Sequence, residues 1–360
     1  MLRHFFFLLA FARSLVAQEE GFIPLLNGKD LTGWVNVNCA PETWSVKDGM
    51  LHCNGIPTGA LRTERQYENF ILELEWRHLK PGGNAGVFIW AGPLSAPGQP
   101  FLRSIEVQVL DHGYGKSESF TTHGDVFPIH GSTMKPFGRH AGQRSFPSEE
   151  RSKGSPVWNH YRITCQDGTL RLAVNGKEVS GGEDCKWRKG YIALESEGGV
   201  VDWRNLRIKE LPGGNATPEQ TAPLADGSVS LYDGRSLKGW IPSVGTAPDW
   251  KPADWELVST GHNSPLVYEK KIGDFQLQLD VRTESKGATA PLPVCINGVP
   301  LPAKVSERWT RYHVTRRGVM LSCREEGQGP GPGSPLGAGP AEISLKSGTV
   351  LRVAGIYLKE

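Results

Sequence analysis

The segment Ser104-Ile105-Glu106-Val107-Gln108-Val109-Leu110-Asp111 places a carboxylate and an amide two positions apart, with a second carboxylate directly after the apolar run. In an extended strand Ile105, Val107 and Val109 share one face, and Glu106 and Gln108 share the other. Such a pair suits a sugar. The carboxylate accepts from hydroxyls or takes the proton of a carbon acid, and the amide both donates and accepts. The wetted face of an edge strand has the same alternation, so residue type alone leaves both readings open.

The elements that would position these residues read as strands. Phe70, Leu72, Leu74 and Trp76 alternate with Ile71, Glu73, Glu75 and Arg77, the period of a strand with one covered face. Leu170, Leu172 and Val174 repeat the pattern before Asn175-Gly176, a strong hairpin signal. With 44 Gly and 26 Pro in 360 residues, punctuation is too dense for long helices, so the expected fold is all-β: short strands in two-sheet sandwiches. The net charge of +2, with both signs interspersed, provides no field for a polyanion, and nucleic acid is excluded as a partner class.

A chain of this length exceeds what one core usually serves, and the sequence contains two copies of one unit. Leu25-Leu26-Asn27-Gly28-Lys29-Asp30-Leu31-Thr32-Gly33-Trp34 returns as Leu231-Tyr232-Asp233-Gly234-Arg235-Ser236-Leu237-Lys238-Gly239-Trp240. Asn69–Arg77 matches Asp274–Arg282, and Trp158–Thr164 matches Trp309–Thr315, in the same order. The second copy lacks most of the stretch between Trp90 and Trp158, including counterparts of Glu106, Gln108 and Asp111, and has Val267 in place of Arg62 and Ala354-Gly355 in place of Arg204-Asn205. Catalysis is therefore expected in the first copy alone. Arg3 and His4, the apolar run Phe5–Ala12 and small residues to Ala17 have the layout of a secretory signal. The expected division is a signal at 1–17, a first sandwich at 18–212, a Pro/Gly linker at 213–226 and a degenerate sandwich at 227–360. The expected location is secreted or periplasmic, with no membrane span. Six cysteines suit an oxidising compartment, local pairing of Cys39 with Cys53, Cys165 with Cys185 and Cys295 with Cys323 being the simplest arrangement and buried free thiols the alternative. The run Gly327 to Pro340 reads as a flexible loop.

Taken together, Pro24–Trp34, Trp44–Gly49, Leu61-Arg62-Thr63, Gly83–Phe88, Glu106–Asp111, Trp158-Asn159, Asn175-Gly176, Gly190–Glu195 and Trp203–Ile208 resemble the 3-keto-disaccharide hydrolase family. The resemblance covers nearly all of 21 to 211. It implies a concanavalin-like jelly roll and hydrolysis of glycosides oxidised to a ketone at sugar carbon 3. The chain departs from the family pattern twice. Leu194-Glu195-Ser196-Glu197-Gly198 stands where the family has a Leu-Gln-x-His-Gly run, and a long insert from about His112 to Pro156 replaces a short segment.

A ketone at carbon 3 acidifies the proton on carbon 2, so a base removes it and the enolate expels the group on carbon 1. This route avoids the oxocarbenium-like step of ordinary glycosidases. It needs a base near the operating pH and a cationic or hydrogen-bonding partner for the enolate oxygen. The candidate bases are Glu106 and Asp111, with His112, His123 and His130 behind them; Arg62 and Arg204 are candidates for the oxyanion. Gln108, Asn84, Glu195, Arg204 and His123 are the candidate sugar contacts. Each has a structural rival: a Gly-rich turn for Asn84, strand-to-strand ties for Arg204 and Asn205, solvent for Glu195 and Glu197. His112, His123, His130 and His140 are irregularly spaced candidates for a divalent metal, and an oxygen-ligated Ca²⁺ is a further option without a ligand loop in the sequence. The competing function is a non-catalytic carbohydrate-binding sandwich, followed by a purely structural or adhesion protein; fold alone does not choose.

Overall fold

The computed structural model describes residues 20–242, 249–329 and 331–360, so the export signal expected at 1–17 lies outside the described residues. The chain is nearly all β, its only helical segments being short 3-10 turns at His112–Tyr114 and Pro218–Gln220 among the described residues. Two antiparallel sheets built from residues between Ile23 and Glu210 face each other. One centres on Phe70–His78, flanked by Asn159–Gln166 and Val201–Glu210. The other runs Val126–Ile129, Ser104–Leu110, Asn84–Ala91, Tyr191–Ser196, Gly59–Thr63 and Trp34–Val37. Leu72, Leu74, Trp76, Ile163 and Trp203 from the first sheet interdigitate with Leu61, Val87, Ile105, Val107 and Leu194 from the second. Each such side chain contributes roughly 1.5–3 kcal/mol when fully buried.

The predicted hairpin closes at Asn175-Gly176, both with positive φ and with Val174 paired to Lys177. The repeated Asn/Asp-Gly motif has a physical role. Asn27 Oδ1 accepts the amides of Lys29 and Asp30, Asp233 Oδ1 accepts those of Arg235 and Ser236, and Trp34 and Trp240 donate Nε1–H to the carbonyls of Leu25 and Leu231. A second, reduced sandwich follows. Its main sheet orders Trp250–Ala253, Glu256–Ser259, Leu351–Lys359, Phe275–Thr283, Thr310–Arg317 and Met320–Glu325 in the same way as the corresponding strands of the first sandwich. The bulge that places Asn205 at φ 53 recurs at Gly355 with φ 53.

Of the two readings of the cysteines, free thiols is the one found. All six cysteines are unpaired; burial raises the thiols, Cys53 to about 11 and Cys185 to about 12, and they pack as small apolar groups. Within the 213–226 segment, Asn215 and Ala216 donate their amides to Glu68 Oε1, and Ala222 donates its amide to the Lys189 carbonyl. The Gly/Pro run 327–340 contains a short strand, Ser334–Pro335, on the edge of the second main sheet. No helix among the described residues is long and apolar enough to cross a membrane.

Candidate functional site

The sheet that carries Ser104–Leu110 turns Ala85, Val87, Ile105, Val107 and Leu194 inward. Register then dictates what stands on its outer face: Glu106 lies opposite Phe88, and Gln108 lies opposite Gly86. On the other side Glu195 lies opposite Ala60, with Ala193 opposite both Phe88 and Arg62. Three neighbouring strands therefore bring Glu106, Gln108 and Glu195 together around Gly86. A Cβ at Gly86 would come within 2.9 Å of Glu195 Oε2 and 3.1 Å of Glu106 Oε1, so glycine is what lets the two carboxyl groups converge. Asn84 completes the cluster by donating Nδ2–H to Glu197 and accepting from Gln108 Nε2 at 2.8 Å.

Glu106 and Glu195 are buried, at 6% and 1% exposure, and Glu195 Oε2 has no hydrogen-bond partner among the described residues. Burial raises the Glu106 carboxyl to about 8, helped by the negative Glu197 and Asp125 and opposed by Arg144. Burial, then Glu106 and Glu197, pushes Glu195 well above the usual carboxylate range. Burial lifts Glu197 to about 7, Asn84 lowering it and Asp254 raising it. Near neutral pH the cluster thus holds both protonated and ionised carboxyls, the condition for paired acid and base chemistry.

The cation beside this cluster is Arg144, on the two-residue strand Arg144–Ser145 within the long insert. Its guanidinium lies 3.4 Å from the Phe127 ring centroid and donates to Asp125 Oδ2 at 3.1 Å; Phe127 in turn sits opposite Glu106. Asp125 is fully buried and is fixed by the amide and hydroxyl of Thr121.

Several residues read from the sequence stand elsewhere. Asp111 is not free to act as a base: Oδ2 accepts the amides of Gly82 and Gly113 at 2.9 and 2.8 Å, and Oδ1 that of Ser155 at 2.6 Å. Burial alone would raise its carboxyl, but these three donors hold it below the usual range. Asp111→Asn is accordingly expected to lower folding stability by about 2–3 kcal/mol, because the amide cannot satisfy all three N–H groups. Urea unfolding reads the loss, while kcat of the folded fraction keeps its order of magnitude. Arg62 is on the same face, but its Nε and Nη1 donate to the carbonyls of Pro93 and Thr63 and its guanidinium lies 4.4 Å from the Tyr191 ring centroid, so it ties a loop to the sheet. Arg204 belongs to the opposite sheet, where it donates to Glu75 at 2.6 Å and stacks on Trp158. His123 and His112 both contact Ser152 Oγ at 2.9 Å, which ties together two segments of the insert. His130 stacks on Phe101, which packs edge-on against Phe88 and so borders the cluster. The exposed His140 ring contacts the Gly138 carbonyl through Nδ1 at 2.9 Å.

A cavity of about 600 Å³ opens on the outer face of the opposite sheet, lined by Glu73, Glu75, His160, Asn205, Arg207 and Phe22 among others. Its carboxylates are already neutralised, Glu73 by Arg162 and Arg207 and Glu75 by Arg204. The strongly perturbed carboxyls, one with an unpartnered oxygen, lie at Gly86 instead. Among the described residues no group of three or more His, Cys, Asp or Glu has the arrangement of a metal site.

A jelly-roll sandwich with a cluster of buried carboxyls and amides on one sheet face has the makings of a glycoside-acting, hydrolase-like enzyme. Residues 21–209 match the family described as the 3-keto-alpha-glucoside-1,2-lyase-like domain, and the chain belongs to that family. A 3-keto-disaccharide hydrolase of Bacteroides thetaiotaomicron is 23% identical over 253 residues, covering 55% of this chain and 81% of that protein. A crystal structure of a candidate glycosyl hydrolase from Parabacteroides distasonis shares 22% identity at a TM-score of 0.42, covering 54% of this chain and 95% of its own. A carbohydrate binding module from Bacillus subtilis shares 12% identity at a TM-score of 0.36, covering 50% and 96%.

Proposed function

We propose that the first sandwich cleaves glycosides carrying a ketone at carbon 3 by proton abstraction, elimination and hydration. An ionised carboxylate of the Glu106/Glu195/Glu197 cluster takes the proton from carbon 2, and the electron pair moves toward the carbon 3 oxygen. As the enolate collapses, the bond from carbon 1 to its substituent breaks and a protonated carboxyl of the cluster donates its proton to the departing oxygen. Water then adds across the carbon 1–carbon 2 double bond, hydroxide to carbon 1 and a proton to carbon 2. Arg144 supplies positive charge for the enolate oxygen. Gln108 and Asn84 hold sugar hydroxyls. The observation that carries the reading is the convergence of two buried carboxyls over Gly86, one with an unpartnered oxygen. A module that only bound sugar would gain nothing from keeping such groups unpaired. The order of charge, apolar run and small residues before Gln18 supports action outside the cytoplasm.

The test is a panel of 3-keto-glycosides beside the matching unoxidised glycosides, each with and without chelator. Cleavage is expected for the ketones alone, since only they make the carbon 2 proton removable by a lone carboxylate. Sugar binding without product from any ketone establishes the binding-module reading instead. A loss of rate with chelator assigns a divalent cation to the reaction.

A further inference from the structure

The family match ends at residue 209, yet the second sandwich reaches the segments that surround the carboxyl cluster. Asp254, in the turn between Trp250–Ala253 and Glu256–Ser259, accepts the amide of Thr58 at 2.8 Å. That segment leans directly on the strand end bearing the carboxyls: Ser196 Oγ donates to the Pro57 carbonyl at 2.9 Å, and the amide of Gly198 to the Gly55 carbonyl at 2.8 Å. Ser196 stands between Glu195 and Glu197. On the other flank, Asp280 Oδ2 accepts the amide of Gly98 at 2.9 Å, Arg311 donates to the Ser95 carbonyl at 2.8 Å, and the buried Asp280–Arg311 pair holds these two contacts in register. The Tyr357 hydroxyl donates to Asn38 Oδ1 at 2.7 Å, and its ring packs with Ala60, Phe88, Tyr191 and Ala193 on the same sheet face as Glu106 and Glu195.

We propose that the second sandwich, inactive itself, is a positioning element for the carboxyl cluster, and that Asp254 is its positioning residue, acting through Thr58 on the Glu195–Glu197 strand end. The proposal rests on the proposed function in assigning the reaction to that cluster. A small displacement of reacting groups is enough to slow a positioned reaction strongly.

The experiment uses the full chain with D254A and D254N. Asp254 is exposed, so both variants are expected to fold, and Asn retains the oxygen that accepts the Thr58 amide. D254A is expected to lower kcat on a 3-keto-glycoside about tenfold with little change in KM, and to speed amide exchange at Ile56, Thr58 and residues 195–198. D254N is expected to restore most of kcat and the exchange protection. Wild-type kcat in D254A, whatever its exchange, overturns the proposal, as does a D254N variant as slow as D254A with exchange unaltered. If wild type cleaves no ketone, the proposed function fails, and exchange at 195–198 still decides this inference: unchanged protection in D254A overturns it, and lost protection restored by D254N sustains it.

Discussion

Glu106→Gln is expected to lower kcat on a 3-keto-glycoside by about a hundredfold or more, the scale for losing a general acid or base, and Glu195→Gln to do the same. The two carboxyls titrate together, so the pair rather than either residue carries the reaction's two pKa values. A bell-shaped kcat/KM is expected, its alkaline limb near the value of about 8 to which burial raises Glu106. Glu106→Gln should displace that limb and remove most of the rate. The substitution also changes stability, with a sign fixed by linkage. The folded carboxyl titrates near 8 and the unfolded one near 4.5. Ionisation therefore favours the unfolded chain increasingly as pH rises from 4.5 to 8, at up to about 1.4 kcal/mol per pH unit. Glu106→Gln is expected to be more stable than wild type at pH 8 and to lose that advantage by pH 5, as thermal unfolding at the two pH values reads. Slower yet sturdier is the signature of a group kept against the interest of stability. A variant slower but no more stable at pH 8 contradicts the assignment of a raised carboxyl.

Arg144→Gln is expected to lower kcat by about a hundredfold while leaving KM near wild type, because the positive charge is needed most when the enolate oxygen carries negative charge. Arg144 also holds the Glu106 carboxyl down, so the alkaline limb should move to higher pH in the variant. Asp125, buried and bonded to Arg144 and Thr121, keeps only the Thr121 contacts. Arg144→Lys retains the charge beside Asp125 and separates lost catalysis from lost packing. If Arg144→Gln keeps the wild-type rate, the oxyanion is held by other donors, with the Gln108 and Asn84 amides next to be substituted.

The two sandwiches and much of their register follow from local chemistry. Alternation in Phe70–Trp76 fixes which face is buried, Asn175-Gly176 sets a turn that needs two positive φ values, and the repeated Asn/Asp-Gly caps bond to amides two and three positions away. Glu106 and Gln108 were legible for the same reason, since period-two alternation is a property of one strand. Glu195 was legible as a strand residue but not as a buried one, because its burial depends on strands distant in sequence and on Gly86 between them. Arg144 sits in an insert without periodicity, and nothing in its neighbours marks it. A carboxylate directly after a strand has the charge of a base, but at Asp111 three amides from Gly82, Gly113 and Ser155 occupy both oxygens. Arg62 and Arg204 carry the right charge on the wrong partners. Sequence by itself determined residue type, strand face and turn, all set within a few bonds of the backbone. Tertiary structure alone decided which charges meet, which are neutralised and which stay buried without a partner, since electrostatic interaction depends on distance through space and on the water that folding removes.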